Sequence, residues 1–200
     1  MPPYRRKHAW RGTEASSESS QNRELILVPP RAHILVAREK IQMTESRTVP
    51  TLAEWAGGLE GLRALTKRFY EKVPHDPHLA PVFAQMDPRH AEHVAAFITE
   101  VFGGPTAYTS QRGSHSHMVG RHLRRHLTED LRKRWLALML DTADEVGVPS
   151  DPEFRAAFVG YLEWGTRLAV LNSQDGVTPP PDDAPMPQWD WGPPGGPWQG

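Results

Sequence analysis

HSHMVGRHLRRHL, residues 115–127, gathers four of the chain's ten histidines into one short segment. Histidine is suited both to binding a transition metal and to carrying a proton near neutral pH, so what this segment holds decides how the rest of the chain is read. Taken as one continuous helix, it would bring His115, His122 and His126 within roughly 40° of one another. His122 and His126 have the i, i+4 spacing of a helical zinc pair. A catalytic zinc motif of that kind needs a glutamate beside the first histidine, whereas here Leu123, Arg124 and Arg125 intervene, and two cations oppose a divalent ion. His90 and His93 form a second pair at i, i+3, but their carboxylate neighbour, Glu92, falls on another face. A surface-helix histidine is more often solvated than ligating, and His75, His78, His117 and His126 read that way. His122 is set apart by its surroundings.

Those surroundings read as helices. Downstream, Thr128 followed by Glu129 and Asp130 opens a helix with apolar positions at Leu131, Trp135, Leu138, Met139 and Val146, and Gly147 ends it. Asp151 and Pro152 start another, with Phe154, Phe158, Tyr161, Leu162, Gly165 and Leu168 on its buried side. Upstream, Asp87 and Pro88 begin a helix whose stripe of Val94, Phe97, Ile98, Val101 and Phe102 stops at Gly103-Gly104-Pro105. Residues 106–114 read as a loop. Earlier still, Gly57 and Gly58 end a short first helix, after which Leu62, Leu65, Thr66, Phe69 and Val73 recur at helical spacing. No segment alternates with period two for long, so the class is all-α. A pocket for a flat apolar cofactor needs a buried helix on each side, aromatic lining and, for haem, one axial ligand. Val94, Phe97 and Ile98 supply one wall, Trp135 another, and Phe69, Tyr70 and Phe83 close a third.

Composition sets the outer limits. The formal net charge of −1 provides no basic field for a polyanion, which argues against nucleic acid. Cysteine is absent, which removes disulfides, thiolate catalysis, iron–sulfur clusters and cysteine zinc sites, and fits a reducing compartment. No apolar run nears the roughly 20 residues needed to span a bilayer. LILV (25–28) and ILV (34–36) are separated by Pro29, Pro30 and Arg31 and do not make a secretory signal. The expectation is a cytoplasmic protein without a membrane partner. Residues 1–42 carry eight Lys or Arg, four Asp or Glu and no helical period, and are expected to be a disordered extension, with Met43 as an alternative start. Residues 43–173 form the domain. Residues 174–200, rich in proline, glycine and tryptophan, with four Asp and no basic residue, read as a disordered tail that cannot build a core, with docking of Trp189, Trp191 and Trp198 on a partner or on the protein's own surface as the alternative.

The marks in order are Gly57-Gly58, FYEKV (69–73), DPHLAPVF (76–83), FGGP (102–105), YTSQRGSH (108–115), GRH (120–122), Trp135 seven residues after Thr128, and YLEWGTRLAVLNS (161–173). In that order and spacing, residues 51–173 resemble the group II truncated haemoglobins, two-over-two helical globins of bacteria and plants. The resemblance implies a truncated globin fold around haem b. His122 then matches the proximal ligand, one ring nitrogen on iron and the other N–H held by a backbone carbonyl. Tyr70 and Trp135 match the distal tyrosine and tryptophan, Phe83 the aromatic wedge against the porphyrin, and His90 the distal gate. Val94 and Phe97 line the cofactor, while Arg121 and Tyr108 match residues facing its propionates. Two departures stand out. Arg124 and Arg125 occupy positions where relatives often have a proline and an apolar residue, and one extra residue falls near Ser114.

The implied function is reversible binding of dioxygen, and of other diatomic ligands such as nitric oxide. A hydrogen bond to a charged acceptor contributes about 1.5–3 kcal/mol, or roughly 10- to 150-fold in escape rate, so Tyr70, Trp135 and His90 together imply tight binding and slow release. Slow release favours redox chemistry on dioxygen, nitric oxide or peroxide, of the nitric oxide dioxygenase or peroxidase kind, with an unidentified reductase as electron donor. A monomer or homodimer is expected. Two other classes compete: a divalent-metal helical protein using His115, His122 and His126, and a haem-free helical interaction module whose Trp-rich tail is the working part.

Overall fold

Thr51 starts the first helix with a reciprocal cap: its hydroxyl accepts from the Glu54 N–H at 3.1 Å, and the Glu54 carboxylate accepts from the Thr51 N–H at 2.7 Å. This computed structural model describes residues 48–198, so the extension read for 1–42 and the alternative start at Met43 lie outside the described residues. Helix α1 (Leu52–Trp55) ends at Ala56, where Gly57 and Gly58 take φ of 85° and 67° and turn the chain into α2 (Gly58–Lys72). The turn is so tight that a Cβ at Gly61 would lie 2.1 Å from the Ala56 carbonyl oxygen. A 3-10 turn (Val73–His75) and α3 (Ala80–Phe83) lead to α4 (His90–Val101), then α5 (Thr109–Arg112), α6 (His115–Gly120), α7 (Glu129–Glu145) and α8 (Pro152–Asn172).

All regular structure among the described residues is helical, as expected. Thr128 and Asp151 cap α7 and α8, accepting from the Leu131 N–H at 3.3 Å and the Phe154 N–H at 3.0 Å. Helix α2 packs on α4 and α7 on α8, with α2 touching α7 to join the two pairs. Phe69, Phe102, Phe154 and Phe158 fill the space between them, each with no more than 1 % of its surface exposed. Two boundaries differ from the sequence reading. Asp87 accepts from the Arg89 N–H at 2.8 Å and closes a turn, so α4 begins at His90. The expected loop at 106–114 holds α5, because the buried Glu100 carboxylate of α4 accepts from the N–H groups of Tyr108 (3.1 Å) and Thr109 (3.0 Å) and caps it from a distance. No helix among the described residues is long and apolar enough to cross a membrane.

The C-terminal segment departs furthest from expectation. Rather than standing clear of the domain, it lies along it. The Trp189 N–H donates to the Val101 carbonyl at 2.9 Å and its indole N–H to the Ala157 carbonyl at 2.9 Å, tying the segment to α4 and α8. The Trp191 indole donates to the Pro50 carbonyl at 2.7 Å, and its ring packs edge-on to Trp55 and Phe154, leaving 5 % exposed. Composition missed this because two indoles with satisfied N–H groups bury enough apolar area to order a segment that has no helical period.

Asp76 sets the position of the chain before α3. Its buried carboxylate accepts from the N–H groups of His78 (3.0 Å) and Leu79 (3.1 Å) and pairs with Arg134 of α7 at 2.5 Å. Burial raises its pKa, but the Arg134 guanidinium and the two backbone donors outweigh burial and hold it below the ordinary carboxylate value. A depressed folded-state pKa gives stability that is present above the unfolded pKa, about 4, and lost as pH falls through the folded value. Asp76→Asn is expected to cost about 1–3 kcal/mol at neutral pH and to flatten the loss of stability below about pH 4. Urea unfolding as a function of pH, with both proteins in the same haem state, tests this; parallel profiles would rule it out.

Candidate functional site

After Gly120 the histidine segment leaves the helix. Successive turns carry it, from the Arg121 N–H to the Met118 carbonyl (3.2 Å), His122 to Val119 (2.9 Å) and Arg125 to His122 (3.2 Å), while Arg124 and His126 adopt left-handed φ of 57° and 50°. The buried Ser173 at the end of α8 pins this loop, its carbonyl accepting from the His126 N–H at 3.0 Å and its hydroxyl from the Leu127 N–H at 2.9 Å. The single helix that would align His115, His122 and His126 is therefore not formed. Among the described residues no three His, Asp or Glu side chains gather as a metal site.

His122 is half-buried, and its Nδ1 lies 3.2 Å from the Met118 carbonyl oxygen. A carbonyl can only accept, so Nδ1 carries the proton and Nε2 keeps a lone pair. Burial lowers its pKa, opposed by the bond to Met118 and reinforced by the Arg125 charge, which favours the neutral imidazole that a metal requires.

His122 lines a cavity of about 690 Å³, within the usual range for small-molecule and cofactor sites. Phe83, His90, Val94, Phe97, Tyr108, Arg121 and Trp135 line the same cavity, so eight of the nine residues singled out in the sequence converge there. Tyr70 is the exception. It is buried behind His90, its hydroxyl 3.0 Å from His90 Nε2 and its ring 5.7 Å from that of Phe83. Burial raises the pKa of this phenol, partly offset by a hydrogen bond with Trp135, so it remains protonated. Burial also pushes His90 down to about 4, helped by the neighbouring His93, His122 and Arg121, beside which a protonated His90 would be disfavoured, and opposed by Asp87. His90 is thus neutral at pH 7, and its tautomer decides whether the Tyr70 O–H is spent on it or left to point elsewhere.

The sequence reading missed part of the lining. Tyr161, Leu162 and Gly165 of α8 reach the cavity, as does Pro187 of the C-terminal segment. The apolar face of α8 was legible as core, but periodicity does not distinguish a packed core from one with a space in it. Nothing in the sequence marked Pro187.

The residues present fit a haem. One neutral imidazole has its second nitrogen anchored by a carbonyl, the surrounding walls are apolar and aromatic, and Arg121 and Arg125 add guanidinium groups suited to carboxylates. Among characterised proteins, the bacterial-like globin family matches residues 51–163. The chain belongs to the bacterial-like globins, among the group II truncated haemoglobins. This globin is 36 % identical over 117 residues to the group 2 truncated haemoglobin YjbI of Bacillus subtilis, covering 58 % of this chain and 86 % of that protein. In structure it is similar to the group II truncated haemoglobin of Bacillus anthracis, with TM-score 0.56 and 27 % identity over 68 % of this globin and 98 % of that one. It is likewise similar to a truncated oxygen-avid haemoglobin from Bacillus subtilis, with TM-score 0.54 and 34 % identity over 60 % and 99 % of the two chains. As a truncated haemoglobin, this globin is a haem protein that binds diatomic ligands.

Proposed function

We propose that this globin holds haem b through His122 Nε2 and binds dioxygen tightly, with slow release. The observation that carries the reading is the His122 imidazole: its Nδ1 is fixed on the Met118 carbonyl and its ring lies on the wall of the cavity that Trp135 and His90 also line. When bound, haem supplies an iron with one open position for a diatomic ligand. Arg121 and Arg125 would hold its carboxylates, Tyr108 would pack at its rim with Phe97, and Phe83 and Val94 would hold its plane.

On the distal side the indole of Trp135 can only donate, and the bond that it makes to the Tyr70 hydroxyl would be exchanged for one to a ligand that draws negative charge. Tyr70 acts through His90 or by turning away from it. The order of effects follows from this arrangement. Trp135→Phe is expected to speed dioxygen dissociation roughly 10- to 150-fold, and Tyr70→Phe by less, since Trp135 lines the cavity and Tyr70 lies behind His90. Flash-photolysis and stopped-flow rates on the single and double variants measure this, and an unchanged rate in the double variant would refute the donor assignment. Slow release suits turnover of dioxygen, nitric oxide or peroxide better than delivery, with electrons from a reductase in the cytoplasm; the absence of cysteine fits that reducing setting.

A further inference from the structure

Among the described arginines two sets stand out. Seven of them, on α2, α7, α8 and the turn before α4, each meet a carboxylate within 4.0 Å. Arg121, Arg124 and Arg125 pair with no carboxylate among the described residues. All three stand on the loop that carries His122. This loop is the centre of a larger imbalance: from Val101 to Thr128 the sequence has four arginines and four histidines and no Asp, Glu or Lys, within a chain of net charge −1.

The two carboxylates of a haem would neutralise two of these charges. Arg121 and Arg125, both on the cavity wall, are the ones within the cofactor's reach. Arg124 is not on that wall; it is exposed and holds a left-handed φ of 57°, a conformation that a residue with a Cβ rarely adopts. Hydrogen bonds from His126 and Leu127 to Ser173 fix the loop in this shape, so the charge is displayed on a rigid support and not on a drifting one. Strained backbone that presents an exposed charge next in sequence to Arg125 of the cavity wall is a sign of function.

We infer that this loop, with Arg124 at its centre, is the docking surface for an acidic one-electron carrier protein of the ferredoxin class. The inference rests on the haem reading above. The excess of positive charge on the loop that carries His122 would steer a partner with an acidic face to the side of the globin where the cofactor would be held. The reduced cluster of the carrier would be oxidised by one electron, and a haem held by His122 would be reduced by one. No atom or proton is transferred. Nucleic acid, the other common polyanion, is disfavoured because the charges sit on one short loop and do not form a stripe along a helix.

The test is binding of a plant-type ferredoxin to the full-length, haem-loaded chain, followed by calorimetry at low and at high salt. Wild type is expected to bind at low salt and to weaken about tenfold or more as salt is raised; Arg124→Glu should lose about tenfold at low salt, and Arg124→Lys should retain most of the affinity. The Soret band of each protein is recorded first. No Soret band in wild type would mean that the haem reading had failed. A normal Soret band with salt-independent binding, no binding, or equal affinity in Arg124→Glu would overturn the docking inference alone.

Discussion

Trp191→Ala is expected to lower the stability of this globin by about 3 kcal/mol, although the residue lies beyond the last helix in a segment that composition marks as a tail. The indole is 5 % exposed, packs against Trp55 and Phe154, and donates to the Pro50 carbonyl at 2.7 Å. Removing it has two consequences open to the chain. If the segment stays in place, a cavity the size of an indole opens and the Pro50 carbonyl loses its donor. If the segment detaches, Phe154, Leu52 and Trp55 gain water-exposed surface, and the Trp189 bonds to Val101 and Ala157 are lost as well. Both routes cost several kcal/mol by the usual figures for large-to-small core changes, about 3–5 kcal/mol for an aromatic. Urea unfolding of wild type, Trp191→Ala and a chain ending at Ser173 decides the matter. The truncated chain should be no more stable than Trp191→Ala. A change below about 0.5 kcal/mol in both would show that the segment contributes nothing to the fold.

This segment also shows where sequence reading stops. Helix starts at Thr128 and Asp151 were legible because an N-cap acts over three residues, and the glycine turn at 57–58 because positive φ leaves a local signature. The cap of α5 by Glu100 was not, since the donor and acceptor lie eight residues apart with a turn between them. The docking of Trp189 and Trp191 depends on surfaces presented by α1, α4 and α8 together, which no window along the chain contains. For the site, eight of the nine residues line one cavity and were legible because they are aromatic, apolar, histidine or, for Arg121, cationic at positions shared with a family of strong pattern. The position of Tyr70 behind His90 was not, because it depends on which of two neighbouring side chains takes the space nearest the cavity. The premise of one helix through His115–His126 failed for a reason the sequence does contain in part. Gly120 is a poor helix former, and the turns that follow are stabilised by Ser173, a residue 47 positions beyond His126.

His122→Ala is the other change expected to have a large effect. On the cavity wall this imidazole has its second nitrogen held by a backbone carbonyl, which fixes both its tautomer and its ring plane. Loss of an outer partner of a metal ligand typically costs about 10- to 100-fold in affinity, so loss of the ligand itself should cost at least about 100-fold. The fold should persist, since His122 is only half-buried and its loop is anchored by Ser173. Imidazole added to the solution should restore part of the loss, by filling the space left by the side chain.

Titration of the full-length chain with hemin, followed by absorbance, tests the central claim most directly. One equivalent of hemin is expected to give a sharp Soret band in wild type, and His122→Ala should give a weakened or shifted band that imidazole partly restores. A wild-type chain that leaves hemin with its free-solution spectrum, or a His122→Ala titration indistinguishable from wild type, would contradict the account.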